Sequence, residues 1–285
     1  MKRFVSVPEG CYIPPVSLER LDDVAIFIGS SVPIAGAQLT RLLVQRRITS
    51  RKVSLRELLD LFRSADRGPP FRIIRRKGVE MAVPLGRARL ATTLLSTAAH
   101  AVSSWGIATV HAVRDRVAAL TSQRLSLEFA SRALTSAPGF RWLDQARGWF
   151  SFADSGSRMA HVVQKVFSVS DSVRFEELRG AIVKALPMTL AVPAHVLREY
   201  LSKLCGCELR GRRVSLPRPA RARLTPVERD VSAVLREAGG TLALPVLRAM
   251  LTHVAKPWNA IGRVLRSSPI FILTGTGRVR LVGAV

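Results

Sequence analysis

Acidic side chains are scarce in this chain. Asp and Glu number 20 against 44 Lys and Arg, which leaves a formal net charge of +24 and a pI near 11.6. An excess of that size calls for an anionic partner, usually nucleic acid and sometimes a membrane surface. Lysine is scarce too, only seven of the 44 basic residues. A GC-rich coding sequence accounts for arginine over lysine but not for the shortage of acids. Cysteine is limited to Cys11, Cys205 and Cys207, an odd and sparse set that excludes a disulfide framework and suits a reducing compartment. Cys205-Gly206-Cys207 has no second ligand pair at zinc-site spacing, so a structural role is expected and no metal.

Long apolar runs are missing as well. The uncharged stretch from Leu90 to Val113 has the length to cross a bilayer but carries Thr92, Thr93, Ser96, His100, Ser103 and Thr109 among other polar groups. It reads as two helices broken at Trp105-Gly106. Met1-Lys2-Arg3-Phe4 is followed by no apolar core, so no signal peptide is evident. The expectation is a cytoplasmic protein, nucleoid-associated if bacterial, with no membrane partner.

Catalytic signatures are absent too: no G-x-x-x-x-G-K-S/T loop, no H-E-x-x-H and no G-x-S-x-G. Gly275-Thr276-Gly277 lies between two strand-like segments and reads as a turn, not a dinucleotide loop. His100, His111, His161, His195 and His253 are scattered, and the acid pairs Asp22-Asp23 and Glu176-Glu177 read as solvated faces. The chain is expected to be a binding protein without cofactor rather than an enzyme.

What the chain does have is apolar content, 48%, enough to pack cores, and a length of 285 residues that fits two ordinary domains or about four small ones. One pattern of helix, helix, helix and hairpin recurs along it. The clearest copy opens at Leu224-Thr225-Pro226-Val227-Glu228, where Thr225 and Glu228 form a capping box and Pro226 suits the first helical position. Val227, Val231, Val234, Leu235 and Ala238 give that helix one apolar face, and Gly239-Gly240 ends it. A second helix is predicted over Leu244–Val254 and a third from Lys256-Pro257, with Trp258, Ile261 and Leu265 inward. The period then switches to two at Phe271 and Leu273, turns at Gly275-Thr276-Gly277, and resumes at Val279 and Leu281.

The preceding copy has helices predicted at Ser157–Ser168, Phe175–Leu186 and Pro193–Leu204 and a hairpin over Cys207–Leu216. Before it, helices at Leu90–Ser104, Thr109–Leu120 and Ser126–Ala137 lead to a hairpin whose strands are Phe140–Leu143 and Trp149–Phe152. Farthest upstream, Ser54-Leu55-Arg56-Glu57 caps a helix to about Ala65, and Phe71–Ile74 and Val79–Val83 flank a basic turn; earlier helices are expected near Ser17–Ala25 and Ile34–Arg46. Phe71, Phe140, Cys207 and Ile270 begin the four hairpins at intervals of 69, 67 and 63 residues, the regular spacing of a tandem repeat. The expected fold is mainly α with small β-hairpins (α+β), in tandem winged helix-turn-helix units. Their bounds are 1–86, 87–154, 155–217 and 218–285, the last including the basic linker Pro217–Arg223.

In a winged helix-turn-helix the third helix enters the major groove and the wing lies along the backbone or an adjacent minor groove. That assigns Lys256, Asn259, Arg263 and Arg266 to base reading in the fourth copy, with Arg278 and Arg280 on its wing. A solvated helix face accounts for the same spacing equally well. Arg75, Arg76 and Lys77 in the first wing, and Arg210, Arg212 and Arg213 in the third, suit phosphate contacts that position without reading sequence. The third helix of the second copy, with Glu128 and Arg132, reads as a packing or dimerisation surface. Trp142, Trp149 and Phe150 read as core.

Ser268-Pro269-Ile270-Phe271 followed by Gly275-x-Gly277-x-Val279-x-Leu281-x-Gly283 resembles the closing wing of bacterial winged-helix proteins described as sigma-factor-like helix-turn-helix proteins. Trp105-Gly106-Ile107-Ala108-Thr109-Val110 and Gly139-Phe140-Arg141-Trp142-Leu143 with Gly148-Trp149-Phe150 resemble the middle of the same group. The resemblance spans about Leu90 to Val285, with Val279 where related wings often carry an aromatic. It implies duplex DNA binding and transcription control, and supplies neither a catalytic residue nor a target. A transcription regulator or architectural factor is thus expected. The alternatives are a docking subunit of a larger nucleic-acid complex and an RNA-binding ribonucleoprotein component.

Overall fold

Short strands Val5–Val7 (β1) and Gly10–Tyr12 (β2) pair antiparallel ahead of four passages through one element order: helix, strand, helix, helix, strand, strand. The first passage comprises α1 (Leu21–Ser31), β3 (Ile34–Ala35), α2 (Gly36–Gln45), α3 (Leu55–Ser64), β4 (Phe71–Arg76) and β5 (Val79–Pro84). The second is α4 (Ala88–Trp105), β6 (Ala108–Thr109), α5 (Val110–Thr121), α6 (Leu127–Thr135), β7 (Phe140–Asp144) and β8 (Trp149–Phe152). The third is α7 (Arg158–Phe167), β9 (Ser172–Arg174), α8 (Phe175–Ala185), α9 (Ala194–Lys203), β10 (Glu208–Arg210) and β11 (Arg213–Ser215). The fourth is α10 (Pro226–Glu237), β12 (Thr241–Ala243), α11 (Leu244–Met250), α12 (Trp258–Ser267), β13 (Phe271–Leu273) and β14 (Arg278–Leu281). The computed structural model describes residues 5–7, 10–12, 20–153, 156–186, 191–217, 222–251 and 257–284. The architecture is mixed α+β, and among the described residues no helix is long and apolar enough to cross a membrane.

Each passage closes a three-stranded sheet in the same way. The strand after the first helix pairs with the last strand, which sits in the middle and also pairs with the strand before it: β3-β5-β4, β6-β8-β7, β9-β11-β10 and β12-β14-β13. The hairpin turns follow their residues. Lys77 and Gly78 both take positive φ (44° and 80°), the type I′ requirement for a two-residue loop that matches strand twist. Gly211, at φ 60°, opens the two-residue loop between β10 and β11.

The helices start where capping chemistry predicts. Ser54 accepts from the Glu57 amide while Glu57 accepts from the Ser54 amide, and Thr225 and Glu228 do the same at α10. Thr109, Ser126 and Ser157 cap α5, α6 and α7. Gly106, at φ 78°, ends α4 at the predicted break after Trp105.

The described residues form two compact bodies, considered separately. The first takes in Met1–His100, Ala108–Trp142 and Ala146–Phe152; the second takes in Ala101–Ile107, Leu143–Gln145 and Ala153–Val285. In the first, Leu21, Val24, Leu39, Leu43, Leu58, Phe62 and Phe71 make one core. Phe150, fully buried, stacks on Phe140 at 5.3 Å and meets Phe152 edge-on, and Trp149 is also buried, so both expected residues are core, whereas Trp142, also expected there, is only half-buried against Phe140. In the second, Val231, Leu235, Leu247, Ile261, Leu265, Phe271 and Val279 form the core of the fourth copy.

Two differences from the sequence reading have physical causes. The strands β3, β6, β9 and β12 are two or three residues long, too short for alternation to register, and each is fixed by a partner far along the chain, as Ile34 is by Ala82. The first helix runs Leu21–Ser31, later than the predicted Ser17–Ala25, and residues 17–19 lie outside the described part. It stops where Val32-Pro33 follows, because the residue before proline disfavours helical torsions. Helix α11 ends at Met250, and the rest of its predicted span, to Val254, lies in part outside the described residues, as does most of the Pro217–Arg223 linker.

Candidate nucleic-acid interface

Helix α12 is laid down by its apolar side. Pro257 precedes it in extended conformation, and Ile261 and Leu265 are 2% and 1% exposed in the fourth core. Trp258 is half-buried against the same core, with the Arg248 guanidinium 5.6 Å from its ring centre. That orientation turns Asn259, Arg263 and Arg266 outward, all exposed and spaced four and three residues apart on one face. Lys256 lies outside the described residues.

Third helices differ sharply in how their cations are used. On α3, Arg63 pairs with Asp60 at 3.2 Å and Arg56 with Glu80 at 3.2 Å. On α6, Arg132 pairs with Glu128 at 2.7 Å and donates to the Ser30 carbonyl at 2.6 Å, which ties that helix to the first copy. Ser136, buried just past the end of α6, adds a bond to the Pro33 carbonyl at 3.4 Å. On α9, Lys203 pairs with Glu199, Arg198 lies 4.2 Å from the Phe175 ring centre, and His195 meets Asp144 at 2.8 Å. Among the described residues Arg263 and Arg266 of α12 have no acidic partner.

The hairpin arginines divide. Arg278 is exposed, level with Ala243 across the sheet. Arg280, on the same strand, is drawn inward: its guanidinium pairs with Glu177 of α8 at 2.5 Å and donates to the Ala284 carbonyl. Glu177 also accepts from the Gly283 amide, so it is a half-buried joint between the third and fourth copies rather than the solvated acid its sequence position suggested. In the third hairpin the Arg210 side chain is 84% exposed beside Glu208, Arg212 occupies the turn, and Arg213 reaches the Ser172 hydroxyl at 3.4 Å. In the first hairpin Arg75 and Lys77 are exposed, while Arg76 is partly covered and burial pulls its guanidinium below the ordinary value.

The bonds around Glu228 and Lys184 carry no local sequence signal, because the partners lie 40 to 87 residues apart. Glu228, 3% exposed, accepts from Lys165 at 2.7 Å and from Ser268 at 2.6 Å while still capping Thr225. Burial alone would raise its carboxyl, but Lys165, Ser268 and the Thr225 amide outweigh burial and hold it below the usual range. Lys184 donates to the Leu265 and Phe271 carbonyls at 2.8 and 2.7 Å, beside the end of α12, and burial lowers its ammonium to about 8.

Two surface clefts adjoin these elements. One of about 370 Å³ lies between α11, α12 and β13, lined by Leu244, Pro245, Trp258 and Leu273, with exposed Val246 and Met250 on α11. The other, about 250 Å³, gathers Arg174, Arg213 and Arg280 around Ser172 and Glu177. Burial pushes the Cys205 and Cys207 thiols up to about 12. Among the described residues no group of three or more His, Cys, Asp or Glu could hold a metal ion. No protein-family model matches the chain, and no curated protein matches it.

Proposed function

We propose that each of the four passages is a winged helix-turn-helix and that the protein binds duplex DNA, as a transcription regulator or architectural factor. The element order and the central last strand of every sheet support the fold assignment. The observation that carries the function is the exposed α12 face, where Asn259, Arg263 and Arg266 stand with no acidic partner among the described residues and Arg278 lies on the adjoining hairpin. Asn pairs with adenine and Arg with guanine through two hydrogen bonds each, and each good pair contributes roughly 1–3 kcal/mol of discrimination. Arg75 and Lys77, and Arg210, Arg212 and Arg213, then act on phosphates.

Two features favour a docking role as the second reading: α6 turned to the first copy through Arg132, and the apolar cleft beside Val246 and Met250. Titrating duplex DNA, duplex RNA and single strands at several salt concentrations separates the two. DNA binding requires preference for duplex DNA and a steep linear fall of log K with log salt. Absence of duplex binding at low salt would sink the DNA reading in favour of docking.

A further inference from the structure

We infer that the 250 Å³ cleft at β9, β11 and β14 is a seat for one phosphate group. Arg174 and Arg213 are direct cross-strand partners in the β9–β11 ladder, so the sheet sets two guanidinium side chains opposite one another. Like charges directly opposite are destabilising in a ladder. Arg280 enters the same cleft from β14, and its wall holds a single acid, Glu177. That carboxylate is already committed to the Arg280 guanidinium and the Gly283 amide. Among the described residues neither Arg174 nor Arg213 has an acidic partner, and the Ser172 hydroxyl, which accepts from Arg213 at 3.4 Å, adds a further polar group to the cleft.

Paired forks of N–H donors match the oxygens of a phosphate and select it over a monatomic anion. The cleft, about 250 Å³ and open to solvent, has room for one phosphate group, whether free or carried on a larger chain. The phosphate comes either from a nucleic-acid backbone, which rests on the DNA reading above, or from free phosphate. If the backbone supplies it, Arg174 joins the contact set, and Arg213 acts with Arg174 rather than as a separate wing contact.

The test uses the full chain with Arg174→Ala, Arg213→Ala and the double variant, and Arg229→Ala, an exposed α10 arginine outside the cleft, as control. Calorimetric titration with inorganic phosphate at low salt should show one equivalent bound by the wild type and by the control, and none by the double variant. In duplex binding, each single substitution should reduce the slope of log K against log salt by about 0.9, one phosphate, and the double variant should reduce it no further. Phosphate uptake with an unchanged duplex slope identifies free phosphate as the ligand. A double-variant slope reduced by about twice the single value means two independent contacts and overturns the shared seat. No phosphate uptake together with an unchanged slope overturns it outright, while persistent wild-type duplex binding would leave the DNA reading standing. Because both side chains are exposed and mutually repulsive, the variants should melt at or above the wild-type temperature.

Discussion

Glu228→Gln is the most informative single perturbation of the second body. The substitution keeps size and shape, and the amide oxygen can still accept from the Thr225 backbone, so the cap survives. What disappears is the negative charge facing Lys165 at 2.7 Å and accepting from Ser268 at 2.6 Å. Removing one member of a buried ion pair costs about 3–5 kcal/mol, chiefly because the other charge is left without compensation. Lys165 retains 16% side-chain exposure, so it can recover some hydration, and the lower end, about 3 kcal/mol, is expected. For a body of this size that corresponds to a fall in Tm of roughly 10 °C.

A double-mutant cycle with Lys165→Met isolates the pair. Lys165→Met alone leaves Glu228 bonded to Ser268 and Thr225 and should cost about 2 kcal/mol, within the range for hydrogen bonds to charged groups. With both substitutions neither charge remains buried, so the double variant should cost clearly less than the sum, with a coupling of about 2 kcal/mol. Urea unfolding followed by far-UV circular dichroism gives all four free energies. Additive costs, within about 0.5 kcal/mol, would refute the claim that this pair joins the third and fourth copies.

The same carboxyl sets a pH dependence. Its value in the fold lies below the unfolded one, so its contribution is fully present above the ordinary carboxyl range and is lost as pH falls through the folded value. The stability gap between wild type and Glu228→Gln should therefore shrink as pH is lowered into that range; a constant gap would mean the carboxyl is not held down by the joint. Gly106→Ala should cost about 3 kcal/mol or more in a thermal melt, because φ is 78° and an added Cβ would lie 2.9 Å from both Met159 Cβ and the Tyr200 hydroxyl, itself held by Ser157 at 2.6 Å. In duplex selections Arg263→Ala should relax sequence preference, whereas Arg212→Ala should weaken all sequences alike and lower the salt slope by about one; identical behaviour would undo the division into reading helix and gripping wing.

Local chemistry was legible in the sequence, and long-range pairing was not. Thr225 and Glu228 declared both a helix start and its cap, but nothing near Glu228 announced Lys165, 63 positions upstream. The spacing of Asn259, Arg263 and Arg266 against Trp258, Ile261 and Leu265 was enough to place the outward face of α12, because 3.6-residue periodicity is a local property. Arg280 shows the limit. Alternation with Val279 and Leu281 placed it outward with Arg278, yet Glu177, 103 residues away, covers it. The third strand of each sheet was missed for the same reason, since two or three residues carry no period of their own.

Four passages of one topology carry four different charge patterns, and that difference argues for a division of labour. The ten residues of α12 include no acid, whereas α3 carries Glu57 and Asp60, α6 carries Glu128 and α9 carries Glu199. Within a net charge of +24, Arg263 and Arg266 stand on this helix without an acidic partner among the described residues. Charge reversal tests this directly. Arg263→Glu with Arg266→Glu removes two cations with no acidic partner among the described residues and adds two anions on the face of α12 proposed to meet the duplex. The same reversal at Arg56 and Arg63 alters cations already matched by Glu80 and Asp60. The α12 pair should lose at least tenfold more duplex affinity at low salt than the α3 pair, an excess of about 1.4 kcal/mol. Equal losses would show that binding follows total charge, and the assignment of α12 as the reading helix would fall.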